Sequence, residues 1–225
     1  MPDLAVIFDV DGVLVDSYRA HFASWRQLYS ELGIDYSEQA FAADFGRTSR
    51  DILRRTLGGE LSGERIRQLD ERKEALFRDI LRQDFPAMDG APKLIDALAA
   101  AGFALAVGSS APLENIALSL KKLDRAEKFS AIVTGADVTR GKPDPQVFQL
   151  AAERLGLPAA SCAVIEDAVH GIEAARRAGM ASIALTGTAT REQLAGADFV
   201  VDNLNDLNPT FIRSLIQSAL QRSQS

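Results

Sequence analysis

The sequence has a single cysteine, Cys162, among its 225 residues. It cannot form a disulfide within the chain, so nothing calls for an oxidising compartment. Its setting, the apolar run Ser161-Cys162-Ala163-Val164-Ile165, marks it as a small core residue of a strand. An excess of basic residues is also missing: the net charge is −6, which argues against a nucleic-acid partner. No apolar stretch is long enough to cross a bilayer, and no basic region or cleavable apolar segment precedes the first strand-like run. The expectation is a cytoplasmic protein with no membrane partner. Internal repeats are absent, and the only biased tract is the polar tail Gln221 to Ser225. A hydrophobic content of 47% suffices for a full α/β core with a smaller second unit. No long apolar patch demands a partner chain, so a monomer is expected.

What is there begins with Val6-Ile7-Phe8-Asp9-Val10-Asp11-Gly12-Val13-Leu14-Val15-Asp16-Ser17. An apolar run ending in two carboxylates at i and i+2, followed by glycine, reads as a strand buried on both faces. Its carboxyl end then presents charge to a crevice, where open α/β sheets place their chemistry. Carboxylates this close beside so much Val and Ile are costly unless a proton or a cation neutralises them. The stretch alone therefore predicts a bound divalent metal.

From Ser17 the pattern turns helical, with Phe22, Trp25, Leu28, Tyr29 and Leu32 on one face. Asp16 or Ser17 is expected to cap this helix and Gly33 to end it. Further helices are expected over Ser37 to Asp44, Ser49 to Leu57 and Ser62 to Gln83, joined at Gly46 and Gly58-Gly59. After the break at Phe85-Pro86 the chain alternates helix and strand. The strands are expected at Phe103 to Val107, Ala131 to Thr134, Cys162 to Ile165, Ala181 to Leu185 and Phe199 to Val201. Such alternation predicts crossover units on a parallel sheet, an α/β class. Residues 1–16 and 86–225 thus form a core domain, and residues 17–85 an inserted all-helical domain whose ends both return to the first strand. That position predicts a lid over the carboxylates. The insertion holds 12 basic and 12 acidic residues, so the whole net charge lies in the core.

Four groups fall at the carboxyl ends of the expected strands: Asp9 with Asp11, Gly108-Ser109-Ser110, Gly141-Lys142-Pro143-Asp144-Pro145, and Glu166-Asp167. Acidic ends, a hydroxyl and a lysine suit a metal and a phosphoryl group, the metal bridging carboxylate and phosphate oxygens while Lys142 and a serine hydroxyl orient the rest. Asp9, Asp11, Glu166 and Asp167 are the candidate metal-binding residues.

Asp9-Val10-Asp11-Gly12-Val13-Leu14, the strand ending in Ser109, Gly141-Lys142-Pro143 and Val164-Ile165-Glu166-Asp167-Ala168-Val169-His170-Gly171-Ile172 resemble, in order, the four motifs of the haloacid-dehalogenase-like hydrolase superfamily. The inserted helices resemble its helical-cap members, a group that includes β-phosphoglucomutase, sugar phosphatases and phosphoglycolate phosphatases. The resemblance implies a Rossmann-like doubly wound parallel sheet with a helical cap, and a Mg²⁺-dependent phosphatase acting on a small phosphorylated metabolite. By position, Asp9 would attack phosphorus and become an aspartyl-phosphate, and Asp11 would protonate the leaving oxygen and then activate water. Ser109 and Lys142 would hold the phosphoryl group, and Asp9, the Asp11 backbone carbonyl and Asp167 would bind Mg²⁺. The chemistry of the residues agrees: a carboxylate attacks a phosphate dianion poorly until a metal and a lysine remove the repulsion. Gly12 lets the backbone turn and approach the phosphate, and Gly12 and Ser110 are expected to bind the substrate.

The resemblance also implies substrate contacts from the cap: His21, within His21-Phe22-Ala23-Ser24-Trp25, the loop Arg47-Thr48-Ser49-Arg50, and Lys73, with Arg72 beside it. Without the resemblance, Ser49-Arg50 reads as a solvated helix start, Lys73 as a solvated helix face, Trp25 as cap core and His170 as a helix-start residue. Members that cleave carbon–halogen bonds typically lack the second aspartate, so Asp11 favours phosphate chemistry. A receiver-type switch would also bind Mg²⁺ and a phosphoryl group, but the helical insertion and the Asp-x-Asp fit it poorly. Where β-phosphoglucomutases usually carry a Ser-Lys-Asn-like run, this chain has Ala111-Pro112-Leu113, which lacks those side-chain hydrogen bonds. Hydrolysis is therefore expected ahead of hexose-phosphate mutase activity.

Overall fold

The computed structural model describes residues 2–44, 48–58 and 61–223. The chain divides into two compact units, Met1–Asp16 with Pro86–Ser225, and Ser17–Phe85.

The larger unit is built on six parallel strands: β1 (Ala5–Phe8), β2 (Ala104–Gly108), β3 (Phe129–Val133), β4 (Cys162–Glu166), β5 (Ala181–Leu185) and β6 (Phe199–Val201). Their order is β3-β2-β1-β4-β5-β6, and every pairing is parallel. The four central strands are buried along their whole length, which is why each reads as an unbroken apolar run. Helices α5 (Ala91–Ala100), α6 (Leu113–Leu123), α7 (Gln146–Leu155), α8 (Val169–Arg177) and α9 (Pro209–Ser223) belong to the same unit. One side of the sheet packs Ile7, Ala106, Val133 and Val164 against Val147, Phe148, Ala151, Ala174 and Ala175 of α7 and α8. The alanine-rich helix faces let those helices lie close to the strands. Cys162 is buried in this layer, and burial pushes its thiol up to about 11, so it stays a neutral, unreactive core residue.

The smaller unit contains α1 (Tyr18–Glu31), α2 (Glu38–Asp44), α3 (Ser49–Leu57) and α4 (Gly63–Gln83). Its core joins Trp25, Leu28 and Tyr29 to Tyr36, Phe41, Ile52, Leu53, Ile66, Leu69 and Leu76. Helix α1 ends as its glycine requires: Gly33 sits at φ +72°, and the Ile34 N–H reaches back to the Tyr29 carbonyl at 2.9 Å, a Schellman closure. Its start differs from expectation. Ser17 has helical backbone angles and makes no capping bond with its side chain; the hydroxyl is buried instead. Thr48 and Ser62 do cap α3 and α4, accepting from the Asp51 and Arg65 N–H groups.

The chain leaves and rejoins the larger unit through a paired junction. Val15 faces Ala87 in antiparallel register, Asp16 N–H donates to the Pro86 carbonyl at 2.9 Å, and Met88 N–H donates to Leu14 at 3.0 Å. Among the described residues no helix is long and apolar enough to cross a membrane.

Phe148 is fully buried beneath β1 and β2. Phe148→Ala should lower the unfolding free energy by about 3–5 kcal/mol, read from urea denaturation; a loss under about 1 kcal/mol would place its ring outside the core.

Candidate active site

The strand order reverses direction at β1 and β4, the point where an open sheet forms a crevice at its carboxyl end. Asp9 follows β1 directly and its N–H still pairs with the Ile165 carbonyl at 3.0 Å, so the nucleophile candidate is held by the sheet itself. Phe8 lies opposite both Val107 and Ile165. Ser109, just beyond β2, and Glu166, the last residue of β4, therefore leave the sheet on either side of Asp9. Lys142 comes from the connection between β3 and α7. Its ammonium donates to Asp9 Oδ1 and to Glu166 Oε1, both at 2.7 Å, and lies 4.9 Å from the centre of the Phe148 ring.

Beyond β1 the backbone coils tightly. Leu14 and Val15 N–H both donate to the Val10 carbonyl, and Gly12 N–H to Val15. Gly12 has φ +75°, and a side chain there would begin 1.9 Å from Asp167 Oδ2. Glycine is thus required twice over, for the turn and for the space the Asp167 carboxylate occupies. Asp11 lies half-buried in this turn. Ser109 is buried, its N–H on the Val133 carbonyl and its hydroxyl accepting from Ala111 N–H at 3.3 Å. Ser110 is exposed, with its backbone carbonyl against Gly135.

The electrostatics are those of an acidic cluster with too little positive charge. Burial pushes the Asp9 carboxyl up to about 6, against the pull of Lys142 and with Glu166 and Asp11 adding to the rise. Asp167 is raised well above the usual carboxylate range, first by burial and then by Glu166 and Asp9. Lys142 is held charged by the same two carboxylates despite its burial. Among the described residues no three acid, histidine or thiol side chains form a ready-made metal cage. The donors nonetheless fit Mg²⁺: they are hard carboxylate oxygens bearing surplus negative charge, and Mg²⁺ is commonly held by one or two carboxylates with water and substrate phosphate completing the shell.

Glu166 is engaged elsewhere. Oε1 accepts from Lys142 and Oε2 accepts the Asp167 and Ala168 N–H groups at 2.8 and 2.7 Å. With both oxygens taken, its place is beside the lysine, and Asp167 is the carboxylate of that pair turned toward Gly12 and Thr188.

Two contributors have no role assigned from the sequence, one of them inside the fourth motif and one outside all four. Gly171, inside α8, is where a Cβ would fall 1.8 Å from Glu166 Oε1; a glycine within a helix costs about 1 kcal/mol, which was the available signal. The Thr188 hydroxyl bonds Asp167, and nothing in its polar turn marks it out.

In the smaller unit, Lys73 is not on a solvated face. It is 3% exposed, bonds His21 Nδ1 at 2.9 Å and Glu74 Oε1 at 2.7 Å, and lies over the Trp25 and Phe77 rings. His21 stacks on Phe77 at 4.1 Å. Arg72 is used within the unit, forming a two-pronged pair with Glu31 at 3.0 and 2.6 Å. Ser49 is half-buried and Arg50 exposed at the start of α3. Arg47 and Gly46 lie outside the described residues, as does Gly59. Trp25 is buried in the core of this unit, and His170 is exposed at the start of α8.

The sequence matches the family described as haloacid dehalogenase-like hydrolase over residues 6–185. It is 31% identical over 183 residues to a phosphorylated carbohydrates phosphatase of Thermotoga maritima, covering 80% of this chain and 83% of that one. It is 30% identical over 210 residues to a β-phosphoglucomutase of Bacillus subtilis, covering 90% and 91%. The fold superposes on the crystal structure of a HAD hydrolase, family IA, variant 3, from Entamoeba histolytica with a TM-score of 0.87 at 27% identity, over 95% of this chain and 99% of that one. A match spanning most of the chain, with these motif residues converging at one sheet edge, means that the protein belongs to the haloacid dehalogenase-like hydrolase family.

Proposed function

We propose that the protein is a Mg²⁺-dependent phosphatase that hydrolyses a small phosphate monoester, a sugar phosphate, through a phosphorylated Asp9. The observation that carries this reading is the buried Lys142 ammonium set 2.7 Å from both the Asp9 and the Glu166 carboxylates. That arrangement puts a fixed positive charge where a phosphate dianion must approach an anionic nucleophile. The names of the two relatives described above, a carbohydrate-phosphate phosphatase and a hexose-phosphate mutase, support a sugar-phosphate substrate.

Ionised Asp9 attacks phosphorus, and the bond from phosphorus to the ester oxygen breaks. Asp11 gives its proton to that leaving oxygen, so the alcohol departs neutral. Asp11, now a carboxylate, takes a proton from water; the hydroxide formed attacks the acyl phosphate, and Asp9 and inorganic phosphate are released. Lys142 and the Ser109 hydroxyl hold the phosphoryl oxygens throughout. Glu166 keeps Lys142 aimed and charged. Asp9, Asp167 and the Asp11 carbonyl would hold Mg²⁺, which when bound lowers the repulsion between the carboxylate and the phosphate. Residues 1–16 with 86–225 are assigned as the core domain and residues 17–85 as the cap, with substrate selection by His21, Arg47, Ser49, Arg50 and Lys73. Mutase activity is the second reading, favoured by the likeness to β-phosphoglucomutase.

With Mg²⁺ present, sugar phosphates should release inorganic phosphate continuously, and chelation should stop it. Asp9→Asn should abolish turnover with the fold intact, and Asp11→Asn should cost roughly 10²–10⁴-fold in kcat. Interconversion of hexose phosphates on adding a bisphosphorylated hexose, without phosphate release, would establish the mutase instead. A single stoichiometric phosphorylation with no turnover would establish a switch.

The Asp9 carboxyl has a folded value of about 6, above its ordinary 3.8, so the folded chain holds this proton more tightly than the unfolded chain. Its contribution to stability therefore falls as pH rises from about 4 to about 6 and stays unfavourable above that. In metal-free protein at pH 7, Asp9→Asn should melt no lower than wild type, the difference shrinking below pH 6. Mg²⁺ should raise the melting temperature of the wild type more than that of the variant. A variant that melts well below metal-free wild type at pH 7 would contradict this charge balance.

Gly171→Ala places a methyl where Glu166 Oε1 now lies. Displacing Glu166 should unseat Lys142 and reduce kcat/KM by at least about tenfold, measured as phosphate release; unchanged kinetics would detach Glu166 from the function of the lysine.

A further inference from the structure

Lys142 reaches Asp9 from an awkward place. Its loop follows β3, an edge strand with β2 between it and β1, so the position of the ammonium depends on how the chain between β3 and α7 is held. We propose that Gln146 is the positioning residue for Lys142: its side-chain oxygen clamps the start of the lysine loop onto the first residue of α7. This inference rests on the reading that Lys142 holds the transferring phosphoryl group.

Gln146 Oε1 accepts three hydrogen bonds, from the Thr139 N–H at 3.0 Å, the Thr139 hydroxyl at 3.2 Å and the Arg140 N–H at 3.1 Å. An amide oxygen has two lone pairs, so three donors exhaust it. The other end of the loop closes on the same residue. Gln146 N–H donates to Asp144 Oδ1 at 3.0 Å, Asp144 N–H donates to the Gly141 carbonyl at 3.0 Å, and Arg140 Nε donates to Asp144 Oδ2 at 2.5 Å. Residues 139–146 are thereby tied into a ring with Lys142 at its tip. Two positions along α7, Phe148 lies fully buried against the sheet with its ring beneath the Lys142 ammonium. One rigid helix thus holds the loop by a hydrogen-bonding side chain and supports the lysine head by an aromatic one. Without the Oε1 acceptor, the Thr139 and Arg140 N–H groups turn to water and the loop gains freedom. The Lys142 side chain is long, and a shift of about 1 Å at a charged catalytic group is enough to cost up to 10²-fold.

The test compares Gln146→Leu, which keeps the size and the backbone N–H but removes the acceptor, with Gln146→Glu, which keeps acceptor oxygens. Turnover of a sugar phosphate and calorimetric binding of inorganic phosphate with Mg²⁺ are measured on both, alongside thermal melting. The Leu variant should lose roughly 10- to 100-fold in kcat/KM and bind inorganic phosphate more weakly, with a melting temperature close to wild type. The Glu variant should recover both. A residue that only stabilised the fold would move the melting temperature and leave phosphate affinity alone. Wild-type phosphate affinity and kcat/KM in the Leu variant, or an equal loss in the Glu variant, would overturn the clamp. If wild type binds phosphate but hydrolyses no ester, the phosphatase reading fails, while the difference in phosphate binding between the variants still decides the role of Gln146.

Discussion

The structure at the catalytic edge depends on one buried cation shared by two carboxylates. Lys142 pairs with Asp9 and with Glu166, and all three are largely removed from water. Taking charges out of water costs several kcal/mol per ion unless geometry and hydrogen bonds compensate. The compensation is shared: Glu166 accepts two backbone N–H groups at the end of β4 as well as the lysine, whereas the Asp9 carboxylate is compensated by Lys142 and only its backbone is placed by the ladder between β1 and β4. The lysine then completes an arrangement that the sheet has already set. It also leaves the cluster short of positive charge, since Asp167 and Asp11 add their carboxylates to the same neighbourhood. A site in that condition favours binding a further cation, and a cation bound there in turn favours a phosphate.

Space for these carboxylates comes from glycines placed on two different elements. Gly12, in the turn after β1, admits Asp167, and Gly171, in α8, admits Glu166. Neither glycine contributes an atom to chemistry. Each removes a methyl from a position where an acid side chain must lie, so the acids of β4 and its following residue can point in opposite directions, as successive residues at a strand end do.

The central strands were legible because each is buried on both faces, so that an apolar run is all the pattern requires. The expected span of the edge strand β3, Ala131 to Thr134, starts two residues late. The strand begins at Phe129, and its burial alternates along its length, which breaks the continuous run that marks its neighbours. Residue type alone makes Lys73 a solvated position, and only the resemblance makes it a substrate contact, although Ile66, Leu69, Lys73, Leu76 and Phe77 fall on one buried stripe of α4; the spacing holds the signal of burial and the charge of lysine obscures it. Ser17 had the right chemistry for a cap and the wrong backbone angles, which residue type alone cannot convey. At the site, the motifs located Asp9, Lys142, Glu166 and Asp167 by position. They could not say which acid of the Glu166-Asp167 pair the lysine takes, because that is decided by side-chain direction at the strand end and by Gly171, 29 residues from the lysine. Gln146 was invisible for a similar reason: its function lies in what one amide oxygen reaches across a folded loop.

The unequal settings of Asp9 and Asp11 follow from where β1 stops. Asp9 is the last residue whose backbone still pairs with β4, and it is 7% exposed. Immediately afterwards the chain coils around the Val10 carbonyl, and Asp11 rides on that coil, half-buried. A strand continued for two more residues would have given both carboxylates the same environment and the same face. Ending it between them gives one acid that is rigid and poorly hydrated and a second that retains access to water. In the proposed mechanism those are different requirements: the nucleophile must be fixed and stripped of water, whereas the acid–base group must meet first a leaving oxygen and then a water molecule. Placing the turn at Gly12 meets both needs with two identical side chains, because environment rather than residue type divides their roles.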